Sequence, residues 1–100
     1  MRPSTWEKQP WMKRRLPFDL SIAMITGDTI ASFEAKIYNA AGQDQSATMI
    51  AGSSNTDTVV YVWIQGGTHG TSYFMRLRVT TVLGELIEDD LNIIVRQKGL

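Results

Sequence analysis

Few side chains in this sequence could do chemistry. His69 is the single histidine, and it sits in the run Gly66-Gly67-Thr68-His69-Gly70 with no serine-esterase motif to serve. General acid–base work needs a positioned partner, so His69 reads as an exposed turn residue. The glycine run is not a phosphate cradle. It lacks the Lys-Ser/Thr ending of a P-loop and leads into a strand pattern, so no helix N-terminus stands behind it. Glu85, Glu88, Asp89 and Asp90 cluster near the end of the chain, but their spacing fits no calcium loop and they read as a solvated face. Glycoside hydrolysis by paired carboxylates would need a cleft that so small a domain scarcely provides. The chain has no cysteine, which excludes disulfides, thiolate nucleophiles and Cys-based zinc sites. The expectation is therefore no catalytic, metal or cofactor site, and no enzyme.

The charge pattern is more informative. Ten basic and ten acidic residues cancel, which argues against a nucleic-acid or membrane surface. Their distribution is uneven. Arg2, Lys8, Lys13, Arg14 and Arg15 are opposed only by Glu7 in the first fifteen residues, so residues 16–100 are acidic. The same segment carries Trp6 and Trp11, and three readings are open. Aromatics beside cations can stack on single-stranded nucleic acid, which the overall neutrality disfavours. They can order on a neighbouring subunit, with Trp6, Trp11, Lys13, Arg14 and Arg15 as contacts. The third reading is a mobile arm with no ordered role. On the second reading, the arm of one copy could dock on the acidic body of another.

These groups need elements to hold them. One hundred residues, 43% of them apolar, fit a single domain with one core. Residues 1–15 show no periodicity and are expected as an extended N-terminal arm; residues 16–97 are expected as the domain. Leu16, Phe18, Leu20 and Ile22 alternate with polar residues, giving an edge strand in which Pro17 does no harm. Phe33, Ala35 and Ile37 alternate with Ser32, Glu34 and Lys36. A weaker strand is expected around Ala47 to Ala51, ended by a loop at 52–55. Thr58 to Ile64 is apolar on both faces and predicts a central, covered strand. Tyr73, Met75, Leu77 and Val79 alternate with Arg76 and Arg78. Leu83-Gly84-Glu85 signals a hairpin into a last strand with Leu91, Ile93 and Val95 inward. No helix is expected. The fold class is all-β, a sandwich of about six to seven antiparallel strands. The stretch from Leu16 to Ile25 is broken by Pro17 and Asp19 and does not read as a secretion signal. No apolar run approaches the ~20 residues of a membrane span.

The stretches "GDTIASFE" and "VVYVWIQGGTHGTSYFMRLRVTTVLGELIEDDLNIIVRQ" resemble a family of small proteins encoded in tailed-phage and prophage structural gene clusters. The resemblance runs from Leu16 to Arg96, while the "WMKRR" segment departs from the family's often acidic arm. It implies an immunoglobulin-like sandwich, a virion-associated or assembly role near the head or tail, and no catalytic residues. It also implies partners among head, connector or tail proteins and assembly in the bacterial cytoplasm. In such a sandwich a Tyr near the start of the penultimate strand packs inside and bonds the backbone of the preceding corner. Tyr73 is placed for that part, and Gly66, Gly67 and Gly70 would allow the corner its positive dihedrals. The competing reading of this stretch is a binding loop.

Two functions follow. The first is a structural or assembly protein of a phage particle. The second is a recognition module that binds carbohydrate or a cell surface through loops 52–57 and 66–71, with Trp63 taking part. Trp63 itself fits either the inter-sheet core or a partner-facing position.

Overall fold

Alternating apolar residues with glycine-bearing turns produce strands, and seven form here. In the computed structural model, which describes residues 4–97, these are β1 (Ser4–Lys8), β2 (Arg14–Asp19), β3 (Ile30–Asn39), β4 (Ile50–Asn55), β5 (Val59–Ile64), β6 (Thr71–Thr81) and β7 (Leu86–Val95). One helical turn, α1 (Ser46–Met49), precedes β4. The strands build two sheets, β1-β7-β6-β3 and β2-β5-β4. Every pairing is antiparallel except β1 with β7, which run parallel. This is the strand order of an immunoglobulin-like sandwich with its first strand moved to the sheet of the last.

The core lies between the sheets and follows the period-two pattern. β5 contributes Val60, Val62 and Ile64, β6 contributes Tyr73, Met75, Leu77 and Val79, and β7 contributes Leu91, Ile93 and Val95. Each such side chain, once buried, contributes about 1.5–3 kcal/mol. No disulfide joins the sheets; Phe18 of β2 and Ile37 of β3 are buried in this same core.

The N-terminal segment corrects the expectation of a separate arm. From Ser4 onward it is part of the sandwich: β1 pairs with β7 from Ser4↔Leu91 to Lys8↔Val95. The boundary drawn at residue 16 falls inside β2. A five-residue strand carries too little periodicity to be read locally, and its partner lies at the other end of the chain. Arg2 lies outside the described residues.

Three smaller corrections have local causes. β2 stops at Asp19, because its carboxylate accepts the Ser21 amide at 2.9 Å and turns the chain. Ile22, expected in that strand, is instead 99% exposed. Residues 46–49 form a helical turn rather than a strand. The Asp44 carboxylate accepts the Ser46 amide, the Ser46 hydroxyl accepts the Ile37 amide, and Met49 plugs the core. The strand expected there lies at 50–55, taking in the predicted loop. Pro17 lies on an edge strand: the Leu20 amide bonds Thr58, so by alternation Pro17 turns its missing donor to the open edge.

Candidate functional site

The corner between β5 and β6 gathers the glycines, the histidine and the tyrosine. Gly66, Gly67 and Gly70 all have positive φ, at 66°, 93° and 80°. Tyr73 is buried, and its Oη accepts the Thr68 amide at 3.0 Å. The His69 ring is exposed, and its Nδ1 accepts the Gln97 amide at 2.9 Å. Lys8 closes the group from below. Its side chain is fully buried, and Nζ donates to the carbonyls of Gly66 at 2.6 Å, Gln9 at 2.8 Å and Pro10 at 3.3 Å. Burial lowers the Lys8 pKa from its ordinary value. Lys8 is thus a bolt between the first strand and the corner. Nothing here aims a nucleophile or base at a cleft; the polar groups are engaged with backbone.

The "GDTI" turn works the same way at the other end. Gly27 has φ 86°, and Asp28 is buried, with Oδ1 accepting the Thr29 and Leu83 amides at 2.8 and 3.1 Å. Burial pushes its carboxyl up, but bonds from the Thr81 hydroxyl and the Leu83 and Thr29 amides bring it below the usual range. The motif therefore ties the loop after β2 to the hairpin between β6 and β7.

Two of the four residues of the acidic cluster form ion pairs. Glu88 meets Arg76 at 3.1 Å and Arg78 at 3.2 Å, and Asp90 meets Arg76 at 3.6 Å. Among the described residues no group of three or more His, Asp or Glu could hold a metal ion.

What remains is a surface. Residues opposite one another in neighbouring strands share a face, and on the outer face of the three-stranded sheet Arg15 stands opposite Trp63, with Pro17 opposite Tyr61. On the other side, Gly52 stands opposite Trp63 and Ser54 opposite Tyr61. The Arg15 guanidinium lies 4.7 Å from the Tyr61 ring centre, and Lys13 Nζ lies 5.8 Å from that of Trp63. Such exposed contacts contribute about 0.5–1 kcal/mol each and hold the rings and cations in place. Trp63 is 40% exposed, which decides between its two readings: it faces outward, and Val60, Val62 and Ile64 take the inter-sheet side. Gly52 lies beneath the ring, where a Cβ would stand in ordinary contact, 3.8 Å from Trp63 Cδ1.

Of the five arm residues singled out as contacts, the structure brings Lys13 and Arg15 to this face. Arg14 stands opposite Ile64, alternates away from it and is exposed at the sandwich end. Trp11 is 93% exposed on the turn between β1 and β2. Trp6 is half-buried against the core, because it shares the inner side of β1 with Lys8, while Glu7 between them faces out. Tyr61 shares the parity of Trp63 along β5, opposite to that of Val60, Val62 and Ile64, and this places it on the same face.

Comparison with known proteins bears on both fold and role. Among solved structures, titin M4 in its trigonal form is similar with a TM-score of 0.58 at 19% identity, covering 95% of this chain and 90% of that one. At that identity the likeness shows the fold alone, an immunoglobulin-like β-sandwich. No curated protein matches the sequence. Residues 8–96, from the buried Lys8 to the end of the last strand, match the family model of Gp77, described as the podophage GP4 fiber-tail adaptor protein, and the chain belongs to that family of phage structural proteins.

Proposed function

We propose that this chain is a non-enzymatic adaptor of a phage tail, joining a fibre protein to the tail body, and that the outer face of β2-β5-β4 carries one of its contacts. The observation that carries this reading is the pair of cation-backed rings, Tyr61 with Arg15 and Trp63 with Lys13, on a sheet face with no layer over it. Trp, Tyr and Arg are the residues in which protein interfaces concentrate their binding energy. Rings already held by cations and by the sheet lose little freedom on docking. A sugar would need a bare ring platform, whereas Lys13 lies over Trp63 and Arg15 over Tyr61. That favours a protein partner over a carbohydrate. The corner at Gly66, Gly67, Gly70 and Tyr73 is architectural on this reading, and assembly occurs in the bacterial cytoplasm before the chain enters the virion.

The test is complementation of phage lacking this chain. Trp63→Ala and Arg15→Glu lie on the exposed face, so far-ultraviolet circular dichroism and a cooperative urea transition should show an intact fold. Particles carrying either variant should contain fewer fibres than wild type. Normal fibre content with both would refute the docking face, and specific retention of the wild-type chain on a glycan array would favour the recognition reading.

A further inference from the structure

The far end of the sandwich differs from this face in charge and in polarity. It is formed by the loops after β2, β4 and β6, and hydrogen bonds fix them to one another. The Val82 amide donates to Thr29, the Ile30 amide to Asp57 and the Leu20 amide to Thr58, each at 2.9 Å. On this rigid end Ile22 is 99% exposed, Leu86 81%, Val82 64% and Leu83 63%. Asp19, Asp57 and Glu85 border them. No lysine or arginine occurs in residues 16–35, 51–75 or 79–95, which supply all three loops. A recess lined by Leu20, Ile22, Ala23 and Ile87 runs down the side between Asp19 and Glu88. Lys13 and Arg15 lie at the opposite end of β2 from Asp19, so one strand carries both signs at its two ends.

We infer that copies of this chain associate head to tail, the cationic aromatic face of one seated on the acidic apolar end of the next. The inference rests on the docking reading above and names the partner of that face. Exposed apolar loop tips on a preorganised end are a docking surface rather than ordinary solvated loops. An acidic border without a cation favours a basic occupant, and the cationic face of the same chain supplies one, with Trp63 as an anchor and Trp11 exposed on the turn before Lys13. Two different patches meet, so the contact is heterologous and propagates to a closed ring or an open row. An end 24 × 23 Å across offers roughly 400 Å² per copy, about half of the ~800 Å² of a stable interface. Free copies should therefore associate weakly and in a salt-dependent way.

The test is sedimentation equilibrium of the full chain over a wide concentration range, in 25 and 500 mM NaCl. Wild type should gain mass with concentration at low salt and associate at least tenfold more weakly at high salt. Lys13→Glu with Arg15→Glu, and separately Asp57→Lys with Glu85→Lys, should each abolish association. An equal mixture of the two double variants should restore it, because the reversed face of one now fits the reversed end of the other. Ile22→Ser with Leu86→Ser, at side chains too exposed to support the fold, should also weaken association. Wild type remaining monomeric throughout, either reversed variant associating like wild type, or a mixture no better than its components overturns the proposal. A monomeric wild type combined with fibre loss in Trp63→Ala sinks this inference and leaves the docking face standing. Normal fibre content in both Trp63→Ala and Arg15→Glu sinks the docking face instead.

Discussion

Gly67→Ala tests the corner most sharply, with Gly70→Ala as its control. Both glycines have positive φ, 93° and 80°, so an alanine at either position meets the left-handed penalty of about 1–2 kcal/mol. Each substitution also stiffens the unfolded chain, which returns about 0.4–1 kcal/mol. The surroundings separate them. A Cβ on Gly70 meets nothing within 4 Å, whereas one on Gly67 would stand 2.7 Å from Val95 Cγ2 and 3.3 Å from Met49 Cε. Val95 and Met49 are both buried, so neither can swing into solvent, and overpacking of this kind costs about 1–3 kcal/mol. The expected loss is about 1 kcal/mol for Gly70→Ala and about 3 kcal/mol for Gly67→Ala. Urea unfolding followed by circular dichroism reads the difference directly. Heating should place the midpoint of Gly67→Ala roughly 8–16 °C below that of Gly70→Ala. Equal losses at the two positions would mean that backbone strain alone matters and that the corner is not packed as described.

Tyr73→Phe removes only the acceptor of the Thr68 amide and should cost about 1–2 kcal/mol by urea unfolding; Tyr73→Ala should cost about 3–5 kcal/mol, and a loss below about 1 kcal/mol for alanine would contradict a buried ring. Lys8→Met keeps the bulk but takes the ammonium from the carbonyls of Gly66, Gln9 and Pro10, of which Gln9 keeps the Met12 amide, so about 1–3 kcal/mol should be lost, whereas Lys13→Met, which gives up only its contact with Trp63, should cost at most about 0.5–1 kcal/mol. Asp28 has its folded pKa below the ordinary 3.8; such a carboxylate adds stability that is fully present above the unfolded pKa and disappears as pH falls through the folded one. Acid unfolding of Asp28→Asn should therefore be less steep below about pH 4 than that of wild type, and superimposable acid limbs would exclude the bonds to Leu83 and Thr29 as its source.

The sandwich was legible wherever one face is buried and the other solvated. Tyr73 to Val79 and Leu91 to Val95 alternate so regularly that their inward sets could be written from the residues alone. The first strand was not legible. Ser4–Lys8 is five residues long and pairs in parallel with β7, whose partner residues begin at Leu91. Nothing local marks such a strand, so the sequence pattern alone places its charge in an arm and Lys8 together with Lys13. The two lysines differ in where their side chains lie, one beneath the corner and one over Trp63. Removing residues 2–15 would accordingly take away an edge strand and the bolt at Gly66, not a dispensable tail.

Trp63 shows why the docking face was harder to see than the fold. In Val59–Ile64 every residue is apolar or aromatic, and composition alone cannot say which parity faces inward. The neighbouring strands decide it. β2 sets Arg15 opposite Trp63, and β4 sets Gly52 and Ser54 opposite Trp63 and Tyr61, a combination no core layer would tolerate uncovered by solvent or partner. The other parity faces Met75, Leu77 and Ile93 across the sandwich. A central strand whose outward residues are aromatic, flanked by a cation on one side and small residues on the other, puts those rings on the outer face of the sandwich. On the function proposed above, that outer face is where another protein would dock.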